Sequence, residues 1–312
     1  MAAEDIMLVT VNGLQGGAQT MADPGLMAIL GLFSFWTGAT IGSFLNVVAW
    51  RVPRGESIVS PPSHCPKCSA PIRWWQNVPI LSWLALRGRC ACCREPISPR
   101  YILVELLCGL LFLAAFLHFW DLPAKELGYE YAGRVVPMVV WWTWISLMLA
   151  GSLIDFDHKL LPDFVTVGGM VLGIAHSTLN SLSFRNFSPE FLNPRMYLPL
   201  AWSLSGLAFG FGLLWLVRYF GSKAFRREAM GLGDVFLMGA VGALFGPVSV
   251  LVTLVLSSVF GSVVGLAMIA LSKTRLGRFT EIPYGPYICL GCLAWMFWGR
   301  RIVGWYMAGV SG

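Results

Sequence analysis

Long apolar stretches alternate with short polar loops along most of the chain. A transmembrane helix needs about 20 predominantly apolar residues, and eight stretches meet this requirement with varying clarity. The division between the sixth and seventh, at Gly246 and Pro247, is the least distinct. The pattern predicts an all-α polytopic membrane protein of about eight transmembrane helices, at residues 25–50, 101–120, 134–154, 162–182, 197–219, 232–247, 249–272 and 284–308.

The composition agrees with this pattern. Hydrophobic residues make up 56% of the chain and charged residues only 12%, with a mean hydropathy of +0.68, whereas soluble domains have about 25% charged residues. The net charge of +6 is explained by basic residues in loops next to membrane helices, so nucleic-acid binding is not expected. Residues 1–23 contain no Lys or Arg and do not resemble a cleaved signal peptide. The first apolar stretch is therefore expected to remain as an anchor.

The basic residues also predict an orientation. Sixteen of the 22 Lys and Arg residues fall in one set of alternate loops and six in the other. Because short cytoplasmic loops carry the excess of basic residues, the first set is assigned to the cytoplasm and both termini to the opposite side. Asp155, at the end of the third predicted helix, and Asp234, at the start of the sixth, are then both expected at the cytoplasmic face.

The long loop between the first two predicted helices contains two CxxC pairs, Cys65 with Cys68 and Cys90 with Cys93. Four thiolates in this arrangement are typical of a closed structural zinc site, which leaves no position for a catalytic water. A redox pair or free cysteines are the alternatives, although disulfides are disfavoured in a reducing cytoplasm. The other cysteines are interpreted as a spare thiol (Cys92) and as small buried hydrophobes (Cys108, Cys289 and Cys292). His64, next to the first pair, is interpreted as a surface residue.

Asp155 and Asp234 are the candidates for chemistry. Carboxylates at membrane depth are energetically costly and are functional by default. Asp155 follows an apolar run, and Asp234 follows two glycines in the sequence GLGD. If the fold brings them together, one carboxylate keeps a proton and the other acts as a general base, which makes a water-activating pair able to hydrolyse a peptide bond. Asp157 and Asp163 have simpler explanations, as a loop charge and a first-turn helix residue.

Three alternatives stay open at this point. Asp234 has a structural explanation as the N-terminal cap of a helix entered through glycines. The two aspartates also suit a proton relay in a transporter, although transporter sites lie nearer the bilayer midplane. A non-enzymatic assembly factor built around the cysteine loop accounts for the cysteines but gives the aspartates no role.

Several motifs in fixed order resemble the type IV prepilin peptidase family, and the resemblance extends from about residue 28 to the last predicted helix. They are GSFLNVVAWRVPRG at 42–55, the two CxxC pairs, IRWWQNVPILSWLALRGRC at 72–90, SPRYILVELL at 98–107, DFDHKLLPD at 155–163, GLGD at 231–234 and EIPYGPYICLG at 281–291. The departures are small: Cys92 is an additional thiol, and Tyr284 and Tyr287 stand where the family often has phenylalanine.

The resemblance implies an inner-membrane aspartic protease. Such an enzyme removes the basic leader of type IV prepilins and type II secretion pseudopilins after a glycine, on the cytoplasmic side, and often methylates the new N-terminus with S-adenosylmethionine. The family's catalytic aspartates correspond to Asp155 and Asp234. Glu281 is a further candidate, for contacting the prepilin amine or for methylation. No glycine-rich fingerprint of the GxGxxG type follows a strand, so the methyl-donor site is not located.

The domain organisation that follows has four parts. Residues 1–24 are a periplasmic tail, 25–50 the first transmembrane helix, 51–100 a cytoplasmic tetracysteine zinc domain, and 101–312 the remaining helices, forming the peptidase core. The expected partners are prepilin or pseudopilin substrates and membrane lipid.

Overall fold

The computed structural model describes residues 24–120, 135–185, 198–228, 230–271 and 283–311. Within these ranges the chain is helical, without a strand, which confirms the all-α class. Each predicted apolar stretch corresponds to one long helix, and one short helix lies in the cysteine loop. The helices are α1 Pro24–Arg51, α2 Leu81–Ala85, α3 Arg100–Trp120, α4 Val135–His158, α5 Asp163–Arg185, α6 Leu198–Phe225, α7 Leu232–Phe245, α8 Pro247–Leu271 and α9 Gly285–Ser311.

Five helical segments in the described ranges are long and apolar enough to cross a membrane. They are Pro24–Arg54, Arg100–Trp120, Val136–His158, Pro199–Phe225 and Pro247–Leu271. Helix α7 is also apolar but has only 14 residues, or about 21 Å at 1.5 Å per residue. The chain is therefore an integral membrane protein, and the number of eight spans stays a prediction.

Helix α7 lies at the centre of the bundle, and every residue from Leu237 to Leu244 is buried. Helices α5, α6, α8 and α9 pack around it. Gly206 of α6 faces Gly242 of α7 so closely that a Cβ on either would collide with the backbone of the other. Leu232 and Phe236 near its start are exposed, whereas the buried Asp234 faces other helices.

The loop that contains the cysteines is anchored to both membrane helices beside it. At the end of α1, the buried guanidinium of Arg51 donates hydrogen bonds to the carbonyls of Ser57 and Pro61, at 2.9 and 2.8 Å. In α3 the buried carboxylate of Glu105 accepts the Ile80 N–H at 2.7 Å, just before α2 begins. These contacts fix the loop against the helices at two points.

Helices α4 and α5 form a tight hairpin. The third predicted helix, residues 134–154 closed by Asp155, is too short: α4 continues through Asp157 to His158, so the prediction that Asp157 is a loop charge is wrong. It ends where Lys159 adopts a left-handed conformation, with φ of 54°, and its N–H bonds to the carbonyl of Asp155 at 2.8 Å. Such a bond closes the last turn of a helix, so Asp157 belongs to the helix and not to the loop. Helix α5 begins with Asp163 in its first turn, as predicted.

Candidate active site

Asp155 lies in the last turn of α4, and only 6% of its surface is exposed. Its Oδ2 atom accepts a hydrogen bond from the backbone N–H of Gly285 at 3.0 Å. Gly285 is the first residue of α9, and the first N–H groups of a helix are unpaired and carry a partial positive charge. The start of α9 therefore stabilises negative charge on Asp155.

Asp234 is the third residue of α7 and is 8% exposed. One of its carboxylate oxygens, Oδ2, lies close to Gly231, 3.6 Å from where a Cβ would stand on that glycine. The capping position before α7 is occupied by Gly231, which makes no side-chain cap. Asp234 therefore lies inside the first turn, and the alternative that it is the capping residue is wrong.

The fold brings the two aspartates into one site. Their carboxylates are close enough for the charges to interact. The buried Cys289, on α9, lies near both. The end of α4 and the starts of α7 and α9 thus meet at the same end of the bundle, with the two carboxylates between them.

Leu161, in the short connection between α4 and α5, fills the space beside both aspartates. A Cβ added to Gly233 would lie 2.7 Å from the Cβ of Leu161, and one added to Gly285 would lie 3.2 Å from its Cδ1. The same side chain lies 3.3 Å from the corresponding position of Gly151 on α4. One leucine therefore packs against glycines of three helices. The sequence carried no signal for this role apart from the glycines themselves.

The other acidic candidates lie apart from this pair. Asp157 forms an ion pair with Arg100 at 2.6 Å, which joins the end of α4 to the start of α3. Asp163 begins α5. The partner of Asp157 accounts for its charge without a catalytic role. Glu281 lies outside the described residues.

The four predicted zinc ligands converge. The sulfur atoms of Cys65, Cys68, Cys90 and Cys93 all lie within 4.8 Å of one another, and those of Cys65 and Cys93 are 3.8 Å apart. Four sulfurs at about 2.3 Å from a tetrahedral zinc ion would be roughly 3.8 Å apart. The cluster therefore has the dimensions of a zinc site. The exposed thiol of Cys92 is not one of these four.

Each cysteine pair lies in a turn of the same form. The Cys65 N–H bonds to the Ala70 carbonyl at 3.0 Å, and the Cys90 N–H bonds to the Glu95 carbonyl at 2.8 Å. The residue after the second cysteine of each pair has a positive φ, 55° at Ser69 and 60° at Arg94. The two matching turns present their thiols to a common centre.

The charges of the thiols also suit a cation. Backbone N–H groups lower the pKa of two of these thiols. The N–H of Cys68 lowers the pKa of Cys65, and the N–H of Ala70 lowers the pKa of Cys68. The pKa of Cys93 is raised to about 12, because desolvation and the neighbouring thiols outweigh the Glu95 N–H that favours its thiolate. Four neighbouring thiolates repel each other, and a divalent metal ion offsets that repulsion.

Comparison with known proteins identifies the family. Residues 36–119 match the bacterial peptidase A24 N-terminal domain, and residues 142–266 match the type IV leader peptidase family. A prepilin leader peptidase/N-methyltransferase of Stutzerimonas stutzeri is 33% identical over 293 residues, which cover 86% of this chain and 91% of the relative. The chain belongs to the type IV leader peptidase family.

Two further relatives agree with this membership. A prepilin leader peptidase/N-methyltransferase of Myxococcus xanthus is 41% identical over 254 residues, covering 81% of this chain and 67% of the relative. A type 4 prepilin-like proteins leader peptide-processing enzyme of Escherichia coli is 35% identical over 278 residues, which cover 83% of this chain and 91% of the relative. No solved structure matches the chain. Membership of this peptidase family confirms the resemblance and the prediction of an enzyme, and it gives no support to the transporter alternative.

Proposed function

We propose that this protein is a membrane aspartic peptidase that removes the leader of type IV prepilins or type II secretion pseudopilins. The observation that carries the proposal is the convergence of Asp155 and Asp234, two buried carboxylates from different helices, at one end of the bundle. The relatives named as prepilin leader peptidases support the substrate class.

The arrangement suits hydrolysis by a coupled pair of carboxylates. Two close carboxylates in a poorly solvated site do not both ionise readily, so one keeps a proton. The ionised member takes a proton from a water molecule as it attacks the scissile carbonyl, and the protonated member donates its proton to the carbonyl oxygen. When the tetrahedral intermediate collapses, the first carboxyl passes the proton from water to the leaving amine, and the second takes back a hydroxyl proton. The N–H of Gly285 holds the Asp155 carboxylate in position.

The charge distribution supports cleavage at the cytoplasmic face of the inner membrane. Both aspartates lie at the end of the bundle to which the loop bias assigns the cytoplasm. A basic leader stays on that side while the apolar helix of the substrate enters the bilayer, so the bond between them lies at the interface. Cleavage after a glycine is the expectation that comes from the family resemblance.

The two other parts of the proposal concern zinc and methyl transfer. A zinc ion held by Cys65, Cys68, Cys90 and Cys93 would have all four positions filled by protein, so its role is to fold the loop. The relatives named as N-methyltransferases support methylation of the new N-terminus, with S-adenosylmethionine as donor. A role for Glu281 in that step or in binding the prepilin amine stays a prediction.

Incubation of the purified full-length protein with a prepilin in detergent tests this function. The expected product lacks the leader, and mass spectrometry of the product gives the position of the cut. With labelled S-adenosylmethionine present, the label is expected on the N-terminal amine of the product. Folded, zinc-loaded protein that leaves the prepilin intact would contradict the peptidase, and cleavage without label would contradict only the methyl transfer.

A further inference from the structure

A cavity of about 380 Å³ lies at the C-terminal part of α6, apart from the aspartates and the cysteine cluster. Its volume falls in the range of about 300–1,000 Å³ that is typical of small-molecule sites. It combines aromatic, basic, acidic and hydroxyl side chains. The lining residues are Trp215, Arg218, Tyr219, Ser222, Lys223 and Glu228.

One wall of the cavity is aromatic. Trp215 and Tyr219 are four residues apart on α6, and their rings stack with centroids 5.6 Å apart at an angle of 11°. Both remain accessible, at 44% and 50% exposure. An outer face of this stacked pair can stack on a planar heterocycle, and an aromatic face also attracts a cationic group.

The rest of the lining carries both signs of charge. Arg218 forms an ion pair with Glu228 at 2.9 Å, and Lys223 lies in the same lining. A ligand that fits this set has a planar ring, a carboxylate for the basic residues, and amine or hydroxyl donors for Glu228. S-Adenosylmethionine has all three, with an adenine ring, an amino-acid end and a ribose, and it adds a sulfonium cation.

A hydrogen bond links the cavity lining to the segment just before α7, the helix that carries Asp234. The Nε atom of Arg218 donates a hydrogen bond to the carbonyl of Met230 at 2.9 Å. Met230 precedes Asp234 by four residues, a length of chain that spans at most about 14 Å even when fully extended. The cavity therefore borders the segment that leads into α7, at the end of that helix where Asp234 lies.

We propose that this cavity binds the methyl donor, S-adenosylmethionine, with its adenine ring stacked on the outer face of Trp215 and its carboxylate paired with Lys223. The inference rests on the proposed function. In the transfer, the lone pair of the neutral N-terminal amine forms a bond to the donor methyl carbon. The carbon–sulfur bond breaks, its electron pair stays on sulfur, which becomes a neutral thioether, and the amine loses a proton to solvent.

Another reading of the aromatic pair is an interfacial anchor, because Trp and Tyr are enriched where membrane helices meet water. An anchor does not need the cavity or its Lys and Glu residues. It also predicts that S-adenosylmethionine binding is indifferent to the identity of Trp215. A direct binding measurement therefore separates the two readings.

The experiment measures binding of S-adenosylmethionine to the purified full-length protein by isothermal titration calorimetry. Trp215→Ala is expected to weaken binding about tenfold, Lys223→Gln about threefold, and Trp215→Phe to restore most of the affinity, because a stacking face returns. Trp305→Ala is the matched control, since Trp305 is exposed on α9 and does not line the cavity. Prepilin cleavage by each variant checks that it is folded, and it should be unchanged.

The outcomes are distinct. Weaker binding in Trp215→Ala with normal cleavage, and unchanged binding in Trp305→Ala, supports the cavity as the donor site. Binding and methyl transfer that survive all the cavity substitutions would overturn this inference while leaving the methyl-transfer function intact. A wild-type protein that cleaves prepilin but neither binds the donor nor transfers a methyl group would overturn both.

Discussion

The backbone N–H of Gly285 donates a hydrogen bond to Oδ2 of Asp155 at 3.0 Å, across 130 residues of sequence. This contact places the start of α9 against the last turn of α4. It also leaves no space for a side chain at position 285, because a Cβ there would lie 2.6 Å from the same oxygen.

Gly285→Ala is therefore expected to lower prepilin cleavage by roughly tenfold or more, since small displacements of a catalytic group cost large factors in rate. The loss should be in kcat, measured with the purified variant. Gly304→Ala is the control on the same helix, because a Cβ there meets nothing within 4 Å. Equal activity of the two variants would argue against the importance of the Gly285 contact.

Substitution of the two glycines before Asp234 is expected to lower cleavage to different extents. A Cβ at Gly233 would lie 2.7 Å from the Cβ of Leu161, whereas at Gly231 the nearest atom would be 3.6 Å away and the backbone is extended. Gly233→Ala should displace Leu161 or Asp234 and lower cleavage strongly. Gly231→Ala meets no such contact and should have the milder effect. The cleavage rates of the two variants, compared at matched protein concentration, check the order, and the reverse order would contradict this packing.

Leu161 itself provides a third test. Shortening this side chain in Leu161→Ala removes its contacts with Gly151 and Gly285 and opens a cavity beside the aspartates. Truncating a buried leucine costs about 2–5 kcal/mol in stability, and the partly buried Leu161 should cost toward the lower end. Thermal unfolding measures that cost, and Leu161→Met, which keeps most of the volume, should recover both stability and cleavage. Full activity in Leu161→Ala would show that the aspartates do not depend on this packing.

The cysteine cluster predicts one zinc ion per chain, measured by elemental analysis of the purified protein. Cys65→Ser is expected to lose the metal and to lower the unfolding temperature, because metal binding by such a site contributes to folding. Cys92→Ser should retain both, since Cys92 lies outside the four clustered thiols. Metal-free wild-type protein of unchanged stability would contradict a structural zinc site.

Most of the helical architecture follows from the sequence because membrane helices are long apolar segments with clear polar ends. Even the weakest boundary, between α7 and α8, lies where it was predicted. Gly246 adopts a φ of 84°, which favours glycine, and Pro247 begins α8, a position that proline suits. The last turn of α4 differs from the prediction because Asp157 and His158 look like loop residues in the sequence, although they complete that turn.

The site itself was only partly predictable. Intramembrane carboxylates are rare enough to mark Asp155 and Asp234 from the sequence alone, and the CxxC spacing indicated the cysteine cluster. No local pattern relates Gly285 to Asp155, Leu161 to Gly233, or Arg218 to Met230. These contacts depend on how distant helices pack, so they became visible only in the fold.

The most direct test of the central claim is the rate of prepilin cleavage by Asp155→Asn and Asp234→Asn, compared with Asp157→Asn. The first two variants remove a carboxylate of the proposed pair, while the third removes only the partly exposed ion pair with Arg100, worth about 1 kcal/mol or less. With normal zinc content and unfolding temperature in all three, we expect no detectable cleavage by Asp155→Asn or Asp234→Asn and near-normal cleavage by Asp157→Asn. Substantial cleavage by either of the first two would contradict the catalytic pair.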